Sequence, residues 1–158
     1  MPRPVRSAVA WVSRTPVFRR LGPVMMPPLE RAVAALSGGR LQASSLVLPS
    51  LVLHTTGARS GLARDTVLMC APERGGYLVA GSNFGRPDHP AWTANLLAHP
   101  GAAVTVRGRR VPVRAELLAG AEREAALEAL EGGMPGFRDY ERLAGRELRV
   151  FRLHVKQP

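Results

Sequence analysis

The pattern of hydrophobic and polar positions changes period near residue 40. Before that point, Val5, Ala8, Val9 and Val12 recur at helical spacing, with Trp11 beside the stripe and Arg3, Arg6 and Arg14 off it. Pro16 ends or kinks this helix, and residues 29–36 read as a second short one before Gly38 and Gly39. Beyond residue 40, β-prone apolar runs and strict alternation take over. Strands are expected at 46–48 and 51–55, interrupted by Pro49, then at 64–70, 77–82, 102–107, 111–118 and 149–155, about six in all and joined mostly as hairpins. Turns fall at 57–61, 73–76 and Gly108-Arg109-Arg110.

Helical patterns interrupt the strands. Asp88 is an expected N-cap with Pro90 in the first turn, Trp92, Leu96 and Leu97 share a face, and His99-Pro100-Gly101 stops the helix. A second helix is expected at 121–131, with Leu127 and Leu130 facing inward and Gly132-Gly133 ending it, and a short third at 137–143. Hairpins with a few helices predict a mainly β antiparallel barrel with α additions, not a parallel α/β sheet. The chain divides into a basic amphipathic extension, 1–40, and a barrel domain, 41–158.

Composition narrows the function classes. Formal net charge is +10, from 22 basic and 12 acidic residues, and Lys156 is the only lysine. Such a domain suits an anionic partner, and arginine offers a planar fork for phosphate and carboxylate. Few aromatics interleave with the arginines and no nucleic-acid motif appears, so nucleic-acid binding is not expected. The single cysteine, Cys70, excludes an intramolecular disulfide and fits a cytoplasmic location. No apolar run approaches the roughly 18–20 residues of a membrane span. Residues 1–20 instead have the basic, Trp-bearing character of a helix that lies on the inner face of a membrane, with packing on the barrel or a partner subunit as the alternative. His54, His89, His99 and His154 are too scattered for a metal site, and His89 reads as fixing a helix start.

Three segments carry candidate chemistry. The turn Gly57-Ala58-Arg59-Ser60-Gly61, with Arg64 beyond it, offers amides, a hydroxyl and two guanidinium groups to an anion. Ala80-Gly81-Ser82-Asn83 ends a strand in small polar residues suited to the edge of a heterocycle. Trp92 and Asn95 lie on one side of a helix, where the indole can wall a flat ring and the amide can bind a tail or fix the turn. Each feature alone also reads as a solvated turn, ordinary loop chemistry, or a core tryptophan with a satisfied amide.

Together these segments resemble the deazaflavin (coenzyme F420)-dependent nitroreductase family. That family's Thr-Thr-Gly-x-x-Ser-Gly turn is matched by residues 55–61, and its Arg-x-Thr-Pro-Leu-Ile-like strand by 64–69, with Val67 in place of proline. The run 81–100 keeps Ser82, Gly85, Pro87, His89, Pro90, Trp92, Asn95, Leu96, Ala98 and Pro100 of the family's next motif. The resemblance spans about residues 46 to 155. It implies a split β-barrel like that of FMN-binding proteins, with coenzyme F420 as cofactor. It places Arg59, Ser60 and Arg64 at the phosphate and polyglutamate tail. Thr66, Val67, Leu68, Met69, Ala80, Gly81, Ser82 and Asn83 would lie around the ring, Ala91, Trp92 and Asn95 would be the helix contacts, and Ala58 and Asp65 would also belong to the cofactor site. The family's three substrate-side tyrosines correspond to Met134, Phe137 and Tyr140, so one hydroxyl remains and a more apolar substrate pocket is implied. Asn83 stands where a lysine can occur, and Ala144-Gly145-Arg146 replaces Thr-Asp-Arg.

The implied activity is hydride transfer from reduced deazaflavin to a quinone, enone or nitroaromatic, with no metal. Tyr140 or Ser82 is the expected hydrogen-bond donor to the reduced oxygen. An FMN-binding flavin reductase on the same barrel, or a non-catalytic F420-binding protein, stays open as an alternative. Split barrels of this kind are often homodimers.

Overall fold

The structure is a computed structural model that describes residues 49–133 and 136–156. The extension 1–40, the strand expected at 46–48, and Met134 lie outside these residues. The described residues form seven strands: β1 Ser50–Thr56, β2 Ala63–Met69, β3 Ala71–Glu73, β4 Gly76–Ala80, β5 Gly101–Val106, β6 Arg109–Leu117 and β7 Val150–Val155. The helices are α1 Ala91–Ala98, α2 Gly120–Gly133 and α3 Asp139–Ala144, and a 3-10 turn spans Asn83–Gly85. One sheet holds all the strands in the order β2-β1-β5-β6-β7-β4-β3, and every pairing is antiparallel.

Its two edge strands, β2 and β3, are consecutive in sequence and separated only by Cys70. The chain therefore passes from one edge of the sheet to the other within a single residue, which requires the sheet to curl. Cys70 N–H donates to Pro49 O at 2.9 Å across this corner. The result is the antiparallel half-barrel that the alternation predicts.

Alternation along β1 sets the two faces. Leu51, Leu53 and Thr55 point into the barrel, where Leu51 and Leu53 join Val79, Trp92, Leu96, Val104, Val113, Phe151 and Leu153 in one core cluster. A second cluster forms where α2 and α3 cover the other face of β4 and β7, with Leu78, Leu118, Leu127, Leu130, Phe137, Tyr140, Leu148 and Val150. Leu127 and Leu130 are fully buried, as their spacing predicts. A polar clasp ties α2 to α3: Arg123 is ion-paired with Glu141, donates from Nε to Leu148 O at 3.3 Å, and leaves Glu141 Oε1 to accept Leu148 N–H at 2.8 Å.

Two local expectations are corrected. The short strand β3 occupies part of what reads as a turn. Its Pro72 is tolerated because β3 is an edge strand, where a missing N–H removes no ladder bond. Helix α1 starts at Ala91 with Pro90 at the N-cap in extended conformation and no side-chain cap, so Asp88 is not the cap. Thr93 closes the first turn instead, its N–H and hydroxyl both donating to Pro90 O at 3.0 and 2.9 Å. Among the described residues no helix is long and apolar enough to cross a membrane.

Candidate cofactor-binding site

The β1–β2 turn is held from inside and open outside. Gly57 N–H donates to Leu62 O and Gly61 N–H to Gly57 O, both at 2.8 Å. Leu62 N–H donates to Ser60 Oγ at 3.3 Å, which leaves the hydroxyl proton of Ser60 to a ligand. A side chain at Gly57 would have its Cβ 2.5 Å from Ser60 Oγ, so this arrangement needs glycine there. Arg59, Ser60 and Arg64 are exposed. Among the described residues the guanidinium groups of Arg59 and Arg64 have no carboxylate partner, and the amides of Arg59 and Ser60 have no acceptor.

Helix α1 latches this turn. Asn95 is buried; its Nδ2 donates to Thr55 Oγ1 at 3.0 Å and its Oδ1 accepts Ala58 N–H at 2.9 Å. Thr55 Oγ1 in turn donates to Arg64 O at 3.4 Å. Of the two tasks expected of Asn95, the fold uses its amide to fix the turn, and the Ala58 amide is consumed in doing so. Trp92 is 5% exposed and packs on Phe151, ring centroids 5.8 Å apart at 56°. Its indole packs in the barrel core, because α1 lays this face directly on the sheet. Ala91, one residue earlier, is exposed.

Pairing splits the run 64–69 over two faces. Arg64, Thr66 and Leu68 stand opposite Thr55, Leu53 and Leu51 and share their inward side, whereas Asp65, Val67 and Met69 stand opposite His54, Val52 and Ser50. A ring lying on one side of β2 therefore meets the side chains of alternate residues, not of the whole run. Asp65 is engaged on the outer side: His54 bridges Asp65 Oδ1, 2.6 Å from Nδ1, and Thr105 Oγ1, 2.8 Å from Nε2. The length and alternation of β1 and β2 predict the pairing, but nothing in the sequence marks this contact.

At the end of β4, Ala80 leads into Gly81, whose N–H donates to Arg149 O at 2.9 Å. A Cβ at Gly81 would lie 2.8 Å from Thr93 Cγ2, so α1 and the strand end touch only because this residue is glycine. Ser82 is half-buried, and among the described residues its hydroxyl has no hydrogen-bond partner. Asn83 Nδ2 donates to Asp88 O at 2.8 Å, so its amide closes the loop on itself. Arg146, which the sequence marks only as the remnant of a Thr-Asp-Arg pattern, donates to Pro87 O, Asp88 O and Gly81 O at 2.8, 2.9 and 3.2 Å and to His89 Nδ1 at 3.1 Å. Burial first, then the charges of Arg146 and Arg149, hold the His89 imidazole below its ordinary 6.5.

On the expected substrate side, Phe137 and Tyr140 are each 3% exposed and stack edge to face at 5.7 Å inside the helical cluster. Helix α3 turns that face onto the 3-10 turn: a Cβ at Gly85 would sit 3.0 Å from Leu143 Cβ and 3.4 Å from Tyr140 Cδ1. The turn Asn83–Gly85 thus rests on α3, with half-buried Ser82 at its start.

Comparison with known proteins places this arrangement. The model of the F420H(2)-dependent quinone reductase family matches residues 29–154. The chain belongs to that family. That family is named for F420H2 as reductant and quinone as acceptor. The F420H(2)-dependent quinone reductase of Mycobacterium tuberculosis is 41% identical over 68 residues, which are 43% of this chain and 46% of that protein. The chain therefore spans about half the length of the curated relatives it matches. Among solved structures, the F420-H2 dependent reductase FDR-A superposes with a TM-score of 0.62 at 33% identity, covering 67% of this chain and 94% of that one. A protein described as a domain-swapped dimer superposes with a TM-score of 0.65 at 29% identity, covering 78% and 95%. The resemblance drawn from the motifs at 55–61 and 81–100 and the split-barrel fold both stand.

Proposed function

We propose that this chain transfers a hydride from reduced coenzyme F420 to a quinone. The observation that carries the reading is the set of unused donors on the β1–β2 turn: the guanidinium groups of Arg59 and Arg64, the amides of Arg59 and Ser60, and the Ser60 hydroxyl. Phosphate and glutamate carboxylates fit this donor set, which is positive and open to solvent. These residues would hold the phosphate and the glutamate tail. Thr66 and Leu68, on the inward side of β2, and the segment 80–83 would border the ring. When bound, the reduced coenzyme supplies the hydride.

The protein's own work is orientation and charge. Ser82 donates a hydrogen bond to the acceptor oxygen that gains negative charge; its support is a half-buried place at the start of the 3-10 turn and a hydroxyl with no partner among the described residues. Tyr140 serves from behind, as the packed floor under Gly85. Arg64, whose backbone carbonyl is tied through Thr55 to Asn95, keeps its side chain free for the tail while its strand stays fixed. A homodimer belongs to the same reading: β2 is an edge strand whose Val67, Leu68 and Met69 remain half-exposed. Sedimentation of the purified protein at the mass of one chain would remove that part.

The test is direct. The protein is titrated with oxidised F420, with FMN as control, and then mixed anaerobically with F420H2 and menadione while the coenzyme absorbance is followed. Micromolar F420 binding with menadione-dependent reoxidation supports the proposal. Binding without turnover of quinones, enones or nitroaromatics reduces the protein to a coenzyme binder. Preference for FMN overturns the reading.

A further inference from the structure

Residues 81–89 carry an unusual backbone. Asn83, Phe84 and Gly85 are three consecutive residues with positive φ, at 45°, 56° and 72°. Only the last is glycine, and a left-handed Phe is conformationally costly. Such a segment persists only when its surroundings hold it. The 3-10 turn itself supplies Gly85 N–H to Ser82 O and Arg86 N–H to Asn83 O, and Asn83 supplies one side-chain bond. Three carbonyls of the segment, Gly81, Pro87 and Asp88, converge on one side chain 58 or more residues downstream, Arg146.

Arg146 uses its fork fully. Nε donates to Pro87 O, Nη2 to Asp88 O and Gly81 O, and Nη1 to His89 Nδ1 and to Glu147 O. A guanidinium has five N–H donors in a fixed plane, and here there are five acceptors. The cation faces carbonyls and an imidazole, and among the described residues it has no carboxylate hydrogen bond; burial lowers its proton affinity from the ordinary value, yet it stays charged. Because arginine is always a donor, His89 Nδ1 must accept, which fixes the imidazole tautomer with its proton on Nε2. Arg146 itself is aimed by Gly145, whose left-handed backbone (φ 65°) ends α3. One side chain thereby joins the two ends of the segment, Gly81 and Pro87–His89, and sets the shape of everything between them, Ser82 included.

We propose that Arg146 is the positioning residue of the site: it fixes residues 81–89 in the conformation that presents Ser82 and the 80–83 edge to the reacting partners. This rests on the coenzyme reading above for its kinetic consequence, but not for its structural one. Lysine cannot replace it, because an ammonium offers three donors and no plane. The tail-binding turn is latched separately by Asn95, so loss of Arg146 spares coenzyme affinity and lowers turnover.

The test compares wild type with Arg146→Lys and with Arg146→Ala plus added guanidinium ion. In the coenzyme-free protein, amide hydrogen exchange of residues 81–89 is expected to speed about 10-fold or more in Arg146→Lys while β1 and β5 exchange as in wild type. With F420H2 and menadione, kcat is expected to fall about 10-fold or more while the dissociation constant for F420 changes less than about 3-fold, and guanidinium is expected to restore part of both losses. Unchanged exchange of 81–89, or a rise in the dissociation constant with kcat intact, overturns the proposal. Should wild type bind no F420, the coenzyme reading fails, and the exchange comparison still decides the role of Arg146. Should both variants unfold, the Arg146 Nε–H resonance of wild type decides it: a proton in fast exchange with water overturns the proposal, and a protected one supports it.

Discussion

Asn95 holds Ala58 at the far end of its amide: Oδ1 accepts the Ala58 N–H at 2.9 Å while Nδ2 donates to Thr55 Oγ1 at 3.0 Å, 40 residues away in sequence. A buried amide that spans the start and middle of a turn makes the turn's outward donors point the same way. Asn95→Ala removes both bonds and leaves the Ala58 N–H and the Thr55 hydroxyl to find other partners. The expected cost is on the order of 2–3 kcal/mol, about 1 kcal/mol per bond plus the exposure of unpaired groups. Urea denaturation checks this. Coenzyme affinity is expected to fall with it, because the turn loses its shape. Unchanged affinity would show that the turn is set by Gly57 and Gly61 alone.

Arg59 in that turn and Arg64 just beyond it should act as local contacts and not as general charge. Arg59→Ala and Arg64→Ala are each expected to weaken F420 binding about 5- to 10-fold at low salt and to flatten its dependence on salt concentration. Arg110, exposed near the β5–β6 turn, pairs with Thr105 at the opposite end of the sheet, and Arg110→Ala removes the same unit of charge. It should leave affinity unchanged. Equal weakening by all three would assign binding to the net charge of +10 and not to the turn.

Phe137 and Ser82 separate packing from chemistry. Phe137 is 3% exposed against Tyr140 and the α2 leucines, so Phe137→Ala is expected to cost about 3–4 kcal/mol of stability as a cavity opens in the helical cluster. Ser82→Ala removes a hydroxyl with no partner among the described residues, so its stability should be near that of wild type, with kcat for menadione lowered about 10-fold or more. A Phe137→Ala protein that is equally stable but altered in acceptor preference would restore the open substrate pocket implied by the three-tyrosine correspondence.

What the sequence made legible follows its physics. β1, β4, β6 and β7 alternate or run apolar, so their existence was readable from period alone. The turn 55–61 was readable because glycines, a serine and arginines are rare together. β3 was not, since Pro72 and the Glu73 turn signals outweigh three residues of edge pairing. The burial of Phe137 was not either, and Trp92 stayed open between ring wall and core: a motif records which residues recur, whereas burial depends on which side of α1 and α3 meets the sheet. The role of Arg146 depends on carbonyl groups, which every residue carries and no sequence distinguishes.

His89 makes the site sensitive to mild acid. Burial and the charges of Arg146 and Arg149 hold its folded-state proton affinity below the 6.5 of an unperturbed histidine. As pH falls through that value, the unfolded chain takes up a proton that the folded protein resists. The unfolded state then binds more protons, and stability declines until pH passes below the folded value; above 6.5 the effect vanishes. The structural reason is specific: a protonated Nδ1 would turn a donor toward the Arg146 guanidinium and break the bond between them. The carboxylates Glu116 and Glu124 do not share this window. His154 and Arg138 hold them below 4.5, so their stabilising contribution is present above that value and is lost only as pH falls through their lower folded values. His89→Gln is therefore expected to flatten the dependence of thermal stability on pH in the range just below 6.5 while leaving the carboxylates' loss at more acid pH. Melting temperatures across that range, wild type against variant, check the assignment. A wild-type curve already flat there would mean that His89 titrates alike in both states and that the Arg146 contact places no demand on its protonation.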